Sequence, residues 1–110
     1  MKNYFSYSEL TSTNTMMFND PTDYMQLRWL SELWFRLNCI REELGMPIYV
    51  NSAFRSKEVN DAVGGVYNSY HLQGRAADIR CDDNDKLKIV LERYKWKELK
   101  KYNTFFHVAI

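Results

Sequence analysis

The chain has 110 residues, a formal charge of +1, and 45% apolar or aromatic residues. This length suits one domain spanning residues 1–110, large enough to bury a core. The near-neutral charge argues against a nucleic-acid surface or an acidic tail, and no run of about 18 apolar residues exists to insert in a membrane.

Residues 1–22 are polar and irregular. Met1-Lys2-Asn3-Tyr4-Phe5-Ser6 is not followed by the apolar stretch and small-residue cleavage site of a secretory leader. Ser8-Glu9-Leu10 suits a short helical turn, and Thr11-Ser12-Thr13-Asn14-Thr15 is a loop by composition. Met16, Met17 and Phe18 are expected to anchor that loop on the core. Asn19-Asp20-Pro21-Thr22 is a turn and a helix entry signal.

From Asp23 to about Leu44 the spacing predicts one long helix. Met25, Leu27, Leu30, Leu33, Trp34, Leu37, Ile40 and Leu44 form its apolar face. Trp29, Trp34 and Phe35 read as core at this spacing, not as a ligand box. Gly45 is the stop, with Pro47 just beyond. Ile48-Tyr49-Val50 is a short β-type run leading to Arg55. An arginine at a strand end is either a surface ion-pair partner or a guanidinium aimed into a cleft. Ser56 to Val63 reads as a short helix capped by Ser56 and ended by Gly64-Gly65.

Ser69-Tyr70-His71-Leu72-Gln73-Gly74-Arg75-Ala76-Ala77-Asp78 carries a candidate metal ligand near each end. An imidazole nitrogen and a carboxylate oxygen are ordinary zinc donors, and catalytic zinc usually takes three protein ligands. Gly74 permits a tight turn between them. Ser69 either serves the turn or helps to hold the His71 ring. Ala76 to Arg80 is a strand with Ala76, Asp78 and Arg80 on one face. Asp82-Asp83-Asn84-Asp85 lacks the glycine and distal glutamate of a calcium loop, and Asp83 or Asn84 suits a helix cap. Lys86 to Tyr94 is an amphipathic helix with Leu87, Val90 and Leu91 inward. Lys95 to Lys101 reads as a solvated basic face anchored by Trp96 and Leu99.

Thr104 to Ile110 is a terminal strand with Phe105, His107 and Ala109 on one face. If it pairs antiparallel with Ala76–Arg80, opposed side chains lie about 5 Å apart, and Asp78 and His107 can share one ion. Taken alone, two histidines and an aspartate read first as an unrelated core or surface set. Cys39 and Cys81 have no Cys or His neighbour at metal spacing. They read as free thiols of a reducing compartment, with a disulfide as the alternative.

Ser69-x-His71-x-x-Gly74-x-Ala76-x-Asp78 followed by a late aromatic-x-His107-Val108 strand resembles the M15 family of zinc D,D-peptidases. Phe5-Ser6-Tyr7-Ser8-Glu9-Leu10, Ser52-Ala53-Phe54-Arg55-Ser56, Val59-Asn60, Val63-Gly64-Gly65 and Asn68-Ser69 are similar to motifs of its subfamily A, in the same order. That family includes D-Ala-D-Ala carboxypeptidases and phage endolysins, and shares its metal-site architecture with lysostaphin-type enzymes and the hedgehog signalling domain. The resemblance implies an α+β fold, with a long N-terminal helix packed on a small, mainly antiparallel sheet. It implies zinc held by His71, Asp78 and His107, and an oxyanion-stabilising Arg55. It implies a monomer acting on peptidoglycan stem peptides that contain D-Ala, with no nucleic-acid partner. Without a visible leader, such an enzyme is expected to be made in the cytoplasm and to reach the wall after release, or to be carried in a virion. A mature fragment without its leader would also fit.

The pattern departs from the family at the general base. Relatives place Glu or Asp three residues before the last histidine, or His two before it; here those positions are Thr104 and Phe105. Some relatives read His-Val-Asp, and here Ala109 stands in the last place. Glu98, Asp82 and Asp83 are the nearest acids, and none can be placed in the cleft by spacing. Two readings follow: a zinc D,D-peptidase, or a non-catalytic zinc-containing wall-binding or virion structural domain on the same scaffold.

Overall fold

A computed structural model describes residues 2–110. The order is α1 (Tyr7–Leu10), α2 (Tyr24–Leu44), β1 (Tyr49–Ser52), α3 (Lys57–Ala62), a 3-10 turn (Tyr70–Gln73), β2 (Ala76–Arg80), α4 (Asn84–Leu91), β3 (Glu98–Lys101) and β4 (Phe106–Ala109). The fold is α+β. The strands form one sheet in the order β1-β2-β4-β3, with every neighbouring pair antiparallel.

Helix α2 begins where local chemistry says it should. Asp23 accepts from the Gln26 backbone N–H at 2.8 Å, and the Gln26 side chain returns a bond to Asp23. This reciprocal capping satisfies donors that the first turn leaves open. Gly45 ends the helix in the left-handed region, φ 76°. Leu33, Leu37, Ile40 and Leu44 are buried, and share one core with Ile79, Leu87, Leu91, Phe106 and Val108. Asp83 caps α4 by accepting from the Lys86 N–H at 3.1 Å.

The apolar face of the sheet is set by register. Ala77 opposes Val108 and Ile79 opposes Phe106, and all four are buried. The alternate residues Asp78 and His107 therefore project from the other face. No disulfide joins Cys39 to Cys81, and no helix among the described residues is long and apolar enough to cross a membrane.

Several expectations need correction. Met16, Met17 and Phe18 do not anchor their loop; all three are exposed. The loop is held instead through its ends, which meet at Phe54. The Phe54 N–H donates to the Leu10 carbonyl at 2.9 Å, and Asn19 Nδ2 donates to the Phe54 carbonyl at 3.0 Å. Met25, Leu27 and Phe35 are exposed too, because the buried stripe of α2 is narrower than its apolar composition. Trp29 is half-buried and lies 4.4 Å from the Arg75 guanidinium. Trp34 packs at the core margin and donates Nε1–H to the Phe5 carbonyl at 2.9 Å. The basic stretch before the last strand is not merely a solvated face: its second half is β3, and Leu99 is exposed instead of anchoring it.

Candidate metal centre

Three segments deliver the candidate ligands. Strand β2 presents Asp78, and β4 presents His107 directly opposite it in register. The 3-10 turn brings in His71, where the Ser69 hydroxyl caps the turn by accepting from the His71 backbone N–H at 3.1 Å. Ser69 thus holds the backbone, while the ring is held elsewhere. His71 Nδ1 donates to the Ala53 carbonyl at 2.6 Å, which leaves Nε2 as the free donor atom.

Gly74 closes the turn with φ +77°, a region that favours glycine. It also allows a close approach to α2, since a Cβ there would sit 2.7 Å from the Gln26 carbonyl oxygen.

One donor atom from each of His71, Asp78 and His107 lies within 4.8 Å of the other two. Asp78 Oδ1 is 2.9 Å from His107 Nδ1 and 3.3 Å from His71 Nε2. Two imidazoles and a carboxylate suit zinc, and a set of three leaves room for a further ligand. Each ring also has its other nitrogen engaged, His71 by Ala53 and His107 by Glu98, whose Oε1 is 2.9 Å from Nε2. The residues present therefore fit the ion.

Electrostatics point the same way. Burial pushes the Asp78 carboxyl up, but hydrogen bonds from His107 and His71 outweigh it and hold the group well below the usual carboxylate range. The bond to Asp78 raises the His107 pKa against the opposing effect of burial, and Glu98 raises it further. In the metal-free protein a proton on His107 thus occupies the place of a cation. A zinc ion held there would have to displace it, so its apparent affinity is expected to fall by up to about tenfold per pH unit below the raised His107 pKa and to level off above it. Competition with a chromogenic chelator across a pH series measures that slope.

Arg55 stands beside the cluster. Its Nη2 is 3.5 Å from Asp78 Oδ2, its Nε donates to Ser52 Oγ at 3.1 Å, and its Nη1 donates to Asn60 Oδ1 at 3.3 Å. Those bonds use three of its five N–H groups. Asn60 is buried and also donates to the Val66 carbonyl at 2.9 Å. Gly65 leaves room for this contact, since a Cβ there would meet Asn60 Oδ1 at 2.0 Å. The Arg55 backbone N–H donates to the His71 carbonyl at 3.1 Å, which ties the arginine segment to the ligand turn.

The cluster lines a cleft of about 710 Å³ whose walls also include Arg55, Tyr70, Glu98, Lys100 and Tyr102. The spacing argument found Arg55, Ser69 and the three candidate ligands. It missed Glu98, Lys100 and Tyr102 as wall residues. The available signal was the alternation Glu98-Leu99-Lys100 after Trp96, which puts Glu98 and Lys100 on one face of a strand.

Comparison with known proteins agrees with this geometry. The family model described as Peptidase M15 matches residues 3–109. The chain is also similar to the zinc D-Ala-D-Ala carboxypeptidase of Streptomyces albus G, with 37% identity over 78 residues. That match covers 68% of this chain and 30% of the relative, so the chain corresponds to under a third of that relative's length.

Proposed function

The chain belongs to the peptidase M15 family, and from that membership and the His–Asp–His cluster we propose that it is a zinc-dependent peptidase. On this reading it hydrolyses D-Ala-containing peptidoglycan peptides, as a D,D-carboxypeptidase or endopeptidase of the phage or prophage lysin kind. The observation that carries the proposal is the meeting of His71, Asp78 and His107 within 4.8 Å on the wall of an open cleft. The relative's name, a zinc D-Ala-D-Ala carboxypeptidase, supports the substrate class.

The site residues have separable tasks. His71 Nε2, Asp78 Oδ1 and His107 Nδ1 would hold the zinc, which when bound supplies Lewis acidity toward a carbonyl and acidifies water. Arg55 keeps two N–H groups for substrate after its bonds to Ser52, Asn60 and Asp78. It binds the scissile carbonyl and stabilises the negative charge that develops on its oxygen. Its fork geometry matters, so Arg55→Lys is expected to keep zinc and lower kcat by roughly 10²–10³-fold, the size seen when one oxyanion donor is lost. Steady-state kinetics beside a zinc titration checks this.

The direct test is release of D-alanine or new amino groups from purified peptidoglycan, with zinc-loaded protein beside a chelated sample. Zinc-dependent release that His71→Ala abolishes establishes the peptidase. A folded protein that binds zinc and releases nothing overturns it in favour of a wall-binding or virion structural module, the reading favoured by the absence of an acid at Thr104.

A further inference from the structure

The cleft wall holds one carboxylate besides Asp78, and it comes from the strand that looked like solvated surface. Strand β3 pairs antiparallel with β4, with Lys100 opposite His107 and Glu98 opposite Ala109. Glu98 is therefore the diagonal neighbour of His107 on the cleft face, a separation that a long side chain can bridge. It does so: Glu98 Oε1 lies 2.9 Å from His107 Nε2. Its second oxygen lies 3.6 Å from Lys100 Nζ, which restrains the carboxylate from the other side.

Glu98 does not belong to the group of mutually close donor atoms formed by His71, Asp78 and His107. It meets the His107 ring at the nitrogen opposite the one that faces Asp78. We propose that Glu98 is a positioning residue that accepts the Nε2–H of His107 and so commits Nδ1 to the metal. This deepens the zinc reading above and rests on it.

The two histidines are held by different acceptors. His71 leans on a neutral backbone carbonyl, and His107 on a carboxylate. A charged acceptor makes the stronger bond and raises the basicity of the ligand nitrogen across the ring. Strand β3 thereby contributes to the centre without supplying a ligand. The role also separates Glu98 from a proton acceptor for water: an orienting acceptor can be an amide oxygen, whereas a base cannot.

The test compares zinc affinity of wild type, Glu98→Ala and Glu98→Gln by competition with a chromogenic chelator, with thermal unfolding as the check on fold. Glu98→Ala is expected to bind zinc about 10–100-fold more weakly, the usual effect of losing such a partner. Glu98→Gln should recover most of that affinity, because its amide oxygen still accepts the Nε2–H, and fall short of wild type by the weaker bond of a neutral acceptor. Nitrogen NMR of zinc-loaded wild type should show His107 protonated at Nε2, a readout that needs no variant. Unchanged affinity in Glu98→Ala, equal loss in both variants, or a proton at Nδ1 overturns the assignment. Loss of turnover in Glu98→Gln at saturating zinc overturns it in favour of a base. Failure of wild type to bind zinc removes the metal reading itself, and this inference with it.

Discussion

Replacing His107 with alanine is expected to bring zinc-dependent hydrolysis to background while leaving a folded protein. Structural zinc sites bind with about 10–16 kcal/mol over four ligands, or roughly 2.5–4 kcal/mol each, so one lost imidazole should weaken affinity about 10²–10³-fold. The fold should tolerate the change because His107 lies on the cleft face, while the core is made by Ala77, Ile79, Phe106 and Val108 on the other. The metal-free protein provides a second readout. His107 has a raised pKa in the folded state, so its protonation stabilises the fold fully below the ordinary value of 6.5. That contribution disappears as pH rises through the folded value. Melting points of chelated wild type and His107→Ala should therefore differ most in acid and converge in mild alkali. A wild type that unfolds once chelated would instead mark the metal as a structural support.

Gly74→Ala should lower stability by about 2–5 kcal/mol, from left-handed strain of roughly 1–2 kcal/mol plus overpacking of roughly 1–3 kcal/mol. At φ +77° the new Cβ would press on the Gln26 carbonyl oxygen at 2.7 Å and the Leu30 nitrogen at 3.2 Å. Both are backbone atoms of a capped helix, and neither can rotate away. A melting point lower by about 10 °C or more is the expected size. Gly64→Ala is the matched control: its φ is +74° but nothing lies within 4 Å, so only the strain of about 1–2 kcal/mol remains. Gly74 lies between His71 and Asp78, so its variant should also bind zinc more weakly, and the Gly64 variant should not. Thermal unfolding beside chelator competition separates the two effects.

Much of the site was legible because β-sheet register converts a sequence pattern into distance. Alternation on two strands put Asp78 and His107 on like faces, and antiparallel pairing put them opposite one another. The start of α2 was legible through its cap and its end through Gly45. Strand β3 was not, because in four mostly charged residues at a sheet edge a single leucine is a faint alternation; its pairing comes from β4 alone. Lysines are common on such edges, where they discourage further strand addition. Glu98 went unplaced for the same reason. The exposure of Met16, Phe18 and Phe35 was hidden because apolar composition says nothing about which way a surface residue faces. Arg55 was legible as a cleft residue, but its support by Ser52 and Asn60 needed the fold.

The loop that returns to Phe54 forms one side of a second groove beside the site. Both of its ends are fastened to the backbone of that one residue, and Ser12 to Thr15 border a groove shared with Arg55 and Asp78. Lengthening a loop whose ends already meet costs little: each doubling adds only about 0.6 kcal/mol of closure entropy. The groove can therefore be deepened or narrowed by insertion between residues 12 and 18 without disturbing the strands that carry Asp78 and His107. The rim of the site can thus vary in length here while the register that sets Asp78 opposite His107 stays fixed.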